Sequence, residues 1–214
     1  MTRLKTELQR LYPTAARDGV RTLVLEAVQP ASWDRLAAVW QGVQAELGLP
    51  APAIAVSGAD AVQLWFSLQA PVAAAQGHAF LDGLRARWLA DLAPAQVRLR
   101  VGDAPPVPAA LAEERWSAFV APDLAAVFAD TPWLDVEPGE EGQATLLQGL
   151  HAIEPAAFAD ALARLRAPAP HAPAPARAPE AADADDPRVF LRRVMNDESV
   201  DLALRIEAAK ALLR

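Results

Sequence analysis

Residues 49–68 read LPAPAIAVSGADAVQLWFSL, and the organisation of the chain turns on them. Residues 53–56 and 62–68 are rich in aliphatic and aromatic side chains, and Ser57-Gly58-Ala59-Asp60 lies between them. Glycine takes positive φ freely and aspartate bonds its own backbone, so the stretch predicts a β-hairpin. In the second strand Val62, Leu64, Phe66 and Leu68 alternate with Gln63, Trp65 and Ser67. One face is therefore apolar and the other amphipathic, as in a sheet covered on one side.

Before the hairpin, residues 33–47 place Trp33, Leu36, Ala37, Trp40, Val43 and Leu47 on one helical stripe, between a Ser32 N-cap and a C′ glycine, Gly48. Residues 21–28 (RTLVLEAV) read as a strand. Residues 2–12 read as a short helix with Leu4, Leu8 and Leu11 at helical spacing, ended by Pro13 and an Asp18-Gly19 turn. After the hairpin, Pro71 suits the first turn of a helix bearing Ala75, Ala79, Phe80, Leu84 and Trp88. Residues 95–101 (AQVRLRV) then alternate as a strand. The order β-α-β-β-α-β predicts an α+β fold of the split βαβ, ferredoxin/RRM-like class, a four-stranded antiparallel sheet with two helices on one face. The opposite face then carries Val24, Glu26, Val28, Gln63, Trp65 and Ser67.

Beyond Val101 the pattern changes. Residues 109–120, with Leu111, Trp116 and Phe119, read as helix, and residues 122–128 as a further turn or two. Residues 143–151 and 155–166 read as two more helices, so 109–166 forms a helical extension of a domain spanning 1–166. Residues 167–187 hold six prolines and nine alanines and no larger aliphatic or aromatic side chain, the composition of a disordered, polyproline-like linker. Residues 188–214 then predict a helical hairpin too small for a core of its own, which points to self-association or to docking on a protein partner.

The 214 residues carry 20 Lys and Arg against 27 Asp and Glu, a formal net charge of −7, which argues against strong nonspecific affinity for polyphosphate. Arg85, Arg87, Arg98 and Arg100 come nearest to a basic patch and read as a solvated face. Cysteine is absent, which removes disulfides, thiolate nucleophiles and Cys-based zinc sites and fits a reducing compartment. The segment MTRLKTELQRLYP lacks an apolar signal core and no run of about 18 apolar residues spans a bilayer, so the expectation is a cytoplasmic protein with no membrane contact.

The phosphate-loop, dinucleotide, zinc-protease and nucleophile-elbow signatures are absent. His78, His151 and His171 lie in separate segments without metal-ligand spacing, and the adjacent pairs Glu113-Glu114, Glu140-Glu141 and Asp185-Asp186 read as solvated charge. Glu26 differs as a lone carboxylate inside a core strand. Trp65 has two readings. It can stack a base, as aromatics on open sheet faces do in RNA-binding modules, or it can pack beneath the helices expected after residue 109.

The hairpin IAVSGADAVQLWFSL resembles the central motif of the archaeo-eukaryotic primase superfamily, with its primase-polymerase branches. The match lies in Ser57-Gly58, the small-residue turn and the following strand through Leu64-Trp65, and it extends over residues 21–101. The resemblance implies an RRM-like catalytic core whose strand histidine contacts the nucleotide and whose paired acids hold metal. Here the histidine position holds Gln63, and the first-strand acids are reduced to Glu26, with Asp103 the one further acid near the last strand. Two-metal phosphoryl transfer needs several carboxylates, so the resemblance implies a relative that is not an enzyme and needs no cofactor. The tail DPRVFLRRVMNDESVDLALRIEAAKALL is similar to C-terminal segments of phage small-terminase-like proteins, which implies a phage or plasmid setting. The expected function is a non-catalytic, nucleic-acid-associated or replication-accessory module. Single-stranded nucleic acid would contact Ser57, Gln63, Trp65, Ser67 and Glu26. The alternative is a protein-interaction adaptor docking through 188–214 without binding nucleic acid.

Overall fold

The computed structural model describes residues 2–13, 19–29 and 33–166, all within one compact unit, Met1–Pro170. The expected linker, the 188–214 hairpin, His171, the Asp185-Asp186 pair, the Ser32 cap and Asp18 of the first turn lie outside the described residues.

The described chain runs α1 (Arg3–Leu11), β1 (Val20–Val28), α2 (Trp33–Ala45), β2 (Ala53–Val56), β3 (Ala61–Val72), α3 (Ala74–Trp88), β4 (Val97–Val101), β5 (Ala109–Ala112), β6 (Arg115–Val120), α4 (Glu140–Gln148) and α5 (Pro155–Arg166). The fold is α+β with one six-stranded sheet in the order β4-β1-β3-β2-β6-β5, and all five pairings are antiparallel. The expected element order thus holds from α1 to β4, but the sheet has six strands, not four. Residues 109–120 are not helical. They form the hairpin β5–β6, turning at Glu113-Glu114 with Glu114 at φ 55°. Alanine-rich sequence favours helix locally, but β2 has an open edge, and β6 occupies it in the register Ile54↔Val120, Ala55↔Phe119, Val56↔Ala118. Pro71 likewise does not open a helix. It lies near the exposed end of the twelve-residue β3, and α3 starts three residues later.

Alternation along the strands sends two sets of side chains to two faces. The first face packs Leu23, Leu25, Leu64 and Phe66 against α2, α3 and α5, through residues such as Leu36, Val43, Phe80, Leu84 and Phe158. Phe80 sits between Phe66 (ring centroids 5.4 Å) and Phe158 (5.2 Å). α2 and α3 meet closely at Gly42, where a Cβ would stand 2.5 Å from the Trp88 ring. The second face packs Val24, Ala53, Ala55, Trp65 and Phe119 against Leu4 and Leu11 of α1 and Ala144 and Leu147 of α4. The face opposite α2 and α3 is therefore covered, by α4 from the extension after residue 109 and by α1.

Two polar devices fix that cover. Arg10 of α1 donates to the carbonyls of Leu147 (3.0 Å) and Leu150 (3.1 Å) at the C-terminal end of α4. Gln143 of α4 pairs with one backbone unit of β6: its Oε1 accepts the Phe119 N–H at 2.8 Å and its Nε2 donates to the Phe119 carbonyl at 2.9 Å. The side-chain amide thus completes the ladder of β6 beyond the end of β5. No helix among the described residues is long and apolar enough to cross a membrane.

Candidate functional site

Register gathers the site. Glu26 of β1 stands opposite Gln63 of β3 on one side and Arg98 of β4 on the other, and Val24 stands between Trp65 and Arg100. All these residues share the face beneath α1 and α4. Glu26 is 1% exposed, and a carboxylate so placed needs partners. It has three. Arg100 Nε donates to Oε1 at 2.6 Å, Gln63 Nε2 donates to the same oxygen at 3.1 Å, and Arg98 reaches Oε2 at 3.5 Å. Gln63 in turn accepts the Trp65 indole N–H at 2.9 Å. A continuous polar chain therefore runs from Trp65 in the middle of the sheet through Gln63 and Glu26 to two half-buried guanidiniums on edge strand β4.

Arg98 extends the chain by one more member. Its two terminal nitrogens grip the Asp60 carboxylate at 3.0 and 2.5 Å, the bidentate geometry that arginine makes with carboxylates. Those hydrogen bonds hold the Asp60 carboxyl below the usual aspartate range, against a smaller opposing effect of partial burial, and hold the Arg98 guanidinium above its own. Asp60 thus ties the hairpin turn to β4 across β1.

Trp65 is 3% exposed. Its ring meets Tyr12 edge-on with centroids 5.1 Å apart and Phe119 edge-on at 5.4 Å, while Tyr12 and Phe119 stack at 6.0 Å. Burial raises the Tyr12 phenol above its ordinary range, outweighing the opposite pull of Arg10. As placed, Trp65 offers no ring face to a base. Of its two readings, packing is the one that matches its contacts, with α1 as a neighbour that sequence reasoning does not foresee.

The remaining expected residues also have structural partners. Ser57 Oγ accepts the N–H groups of Ala59, Asp60 and Ala61 at 3.1, 3.1 and 2.9 Å and so builds the turn. Gly58 has φ 80°, and a Cβ there would stand 2.8 Å from the Ser117 backbone nitrogen, so Ser57-Gly58 is what lets β6 approach β2. Ser67 Oγ donates to the Leu11 carbonyl at 2.7 Å and fastens the end of α1 to β3. Glu26, Gln63, Trp65 and Ser67 are brought onto one buried face, and Ser57 stands apart in the turn. Thr22 on the same face is 4% exposed, and its hydroxyl lacks a hydrogen-bond partner.

Sequence reasoning assigns Arg98 and Arg100 to a solvated face and Asp60 to the turn alone. The two arginines are instead half-buried partners of Glu26, and Arg98 also holds Asp60. Sequence reasoning passes over Tyr12 and Gln143. A signal for the arginines exists: in VRLRV the alternation places both on one face, the face of Glu26. Gln143 leaves no such trace.

No family model, curated protein or solved structure matches this chain. Among the described residues, His78 and His151 are exposed and separate, and no three His, Asp or Glu side chains gather in metal-ligating geometry. On the opposite face, an open groove of about 360 Å³ lies between the end of β3, the start of α3 and α5. Among the described residues, Gln76 and Arg166 are the only polar side chains lining it, and they form no reactive pair.

Proposed function

We propose that this chain is a non-catalytic protein-interaction module on a primase-like split βαβ core. The β4-β1-β3-β2 portion of the sheet, with α2 after β1 and α3 after β3, supports the ferredoxin-like reading of that core, to which β6 and β5 add at the β2 edge. One observation carries the functional part: the sheet face on which such a core would handle a nucleotide is filled by the protein itself. Glu26 has its oxygens committed to Arg98, Arg100 and Gln63, which suits a structural counter-ion better than a metal ligand. Trp65 is enclosed by Tyr12 and Phe119. Base stacking would require α1 to lift away, at the cost of the Ser67 and Arg10 hydrogen bonds. The chain's charge of −7 adds to the case, since single strands are held by basic grooves.

The test uses the full chain and a labelled single-stranded oligonucleotide followed by fluorescence anisotropy. We expect no saturable binding at about 10 μM protein, a range in which nonspecific binders register. Saturable, salt-sensitive binding that Arg98→Gln and Arg100→Gln abolish would replace the proposal with the nucleic-acid reading. The adaptor reading further expects that affinity capture survives nuclease treatment and is lost when residues 188–214 are removed.

A further inference from the structure

The two edges of the sheet are built differently. β4 carries Arg98 and Arg100, both engaged in ion pairs with Glu26. β5 is Ala-Ala-Leu-Ala, with Ala110, Leu111 and Ala112 exposed and Leu111 at 50%. Sheet edges are ordinarily blunted by short length, bulges, lysine, proline or inward charge. β5 is four residues long with a register shift between Ala110 and Ala112, but its span holds no charge and no proline. Among the described residues no strand pairs with its outer side.

Register places the free hydrogen-bonding groups of β5. Trp116 exchanges both its backbone bonds with Leu134, at 2.9 and 3.0 Å, on the side of β6 away from β5. Ala110 stands directly opposite Trp116. In an antiparallel ladder it therefore belongs to a non-hydrogen-bonded pair, and its N–H and C=O point outward to the sheet edge.

Charge selects among occupants. Residues 109–141 contain eight Asp and Glu and a single basic residue, Arg115, a net of −7, while the whole chain also sums to −7. The rest of the chain is thus neutral in sum, and the acidity falls in the segment that begins with this hairpin, where Glu141 of α4 is paired with Arg3. Arg115 lies 4.3 Å over the Trp133 ring. Glu113 and Glu114 form the turn that ends β5. Asp135 follows the Leu134 bridge, whose backbone lies about 10 Å from the outer side of β5 at two strand spacings. Two copies pairing edge to edge would bring these charges together, whereas a cationic strand would be drawn in.

We propose that the outer edge of β5 is a strand-addition site for an extended, cationic segment of a partner protein. Its backbone would pair with Ala110, its small apolar side chains would lie beside Leu111, and its Lys or Arg side chains would face the acidic turn. The proposal rests on the reading of the chain as a protein-interaction module.

The experiment titrates the full chain into a fluorescein-labelled (Lys-Val)4 peptide, followed by anisotropy at low and physiological salt. The expected result is saturable binding, weakened by salt, with no binding of (Glu-Val)4. Ala110→Pro removes only an outward N–H at an edge position that tolerates proline, and it should weaken binding about tenfold or more. Alternate N-methylation of the peptide should do the same with the protein left intact, which covers the case in which the proline variant unfolds. Absence of binding, or binding indifferent to both changes, overturns the proposal. Binding that appears only after removal of residues 167–214, or a dimer dissolved by Ala110→Pro, would assign the edge to another occupant and overturn it too. Peptide failure with nuclease-resistant capture intact removes this edge alone. Saturable oligonucleotide binding would remove the interaction reading and leave the peptide result to stand by itself.

Discussion

Leu64 and Gln63 are neighbours on β3, and they point into different kinds of interior. Leu64 enters a face made of leucine, valine and phenylalanine, where Leu23, Leu25, Phe80 and Leu84 are all fully buried. Gln63 enters a face where Trp65, Tyr12 and Phe119 surround a polar chain that must be satisfied atom by atom. The first face is held by volume and area, which many apolar residues could supply. The second is held by particular partners at particular positions, and losing one leaves a buried group unpaired. That difference decides what each face tolerates.

The largest expected effect tests the first face. Phe80→Ala should cost about 3–5 kcal/mol in denaturant unfolding, because the ring is fully buried between Phe66 and Phe158 and its loss leaves a cavity. A cost under about 1 kcal/mol would show that this face collapses around the gap and is not close-packed. Next comes Gln63→Leu, which keeps the size but strands the Trp65 N–H and takes one donor from Glu26. About 1–3 kcal/mol is expected, where Leu64→Met next door should cost under about 1.5 kcal/mol. Adding Trp65→Phe to Gln63→Leu should recover part of the loss, since no indole N–H is then left without an acceptor. Strict additivity in that double-mutant cycle would mean that the Gln63–Trp65 bond contributes nothing.

The same contrast explains what could be read from the sequence. The first face announces itself through period: Val62, Leu64, Phe66 and Leu68 at every second residue, and Trp33, Leu36, Trp40 and Val43 at helical spacing. β1 to β4 follow from it. The second face depends on contacts between distant parts of the chain that leave no periodic trace. Residues 109–120 look helical because alanine dominates them locally, and they become strands because β2 needs a neighbour. The stripe Leu4, Leu8 and Leu11 predicts a helix but not its seat beside Trp65, which is fixed by Ser67 and Arg10. Glu26 stands out as an unusual strand carboxylate, yet its arginine partners lie 72 and 74 residues further on.

Ser67→Ala isolates one of those fastenings. It leaves the Leu11 carbonyl without its 2.7 Å donor, for an expected cost of about 1 kcal/mol. The loss should be local, with amide exchange in α1 accelerating while that of α2 and α3 stays unchanged. Uniform acceleration through all three helices would mean that the two faces unfold as one unit and that α1 is no separate cover.

The smallest expected effect lies at the rim of the second face, where the chain meets solvent. Asp60 and Arg98 are both partly exposed, with side-chain accessibilities of 45% and 41%, so their ion pair should contribute under about 1 kcal/mol. Its signature is the pH dependence. Hydrogen bonds from Arg98 hold the folded Asp60 carboxyl below its unfolded value, so the unfolded chain takes up its proton first as pH falls. The contribution is therefore complete above the ordinary aspartate value of about 3.9 and disappears as pH drops through the lower folded value. Wild type and Asp60→Asn should differ in stability by a constant amount at pH 6 and 7, and the gap should narrow below about pH 4. High salt should shrink the gap at neutral pH as well, because a partly exposed pair is screened. A gap that stays constant down to pH 3 would show that Asp60 holds the turn through shape, and that the polar chain ends at Arg98.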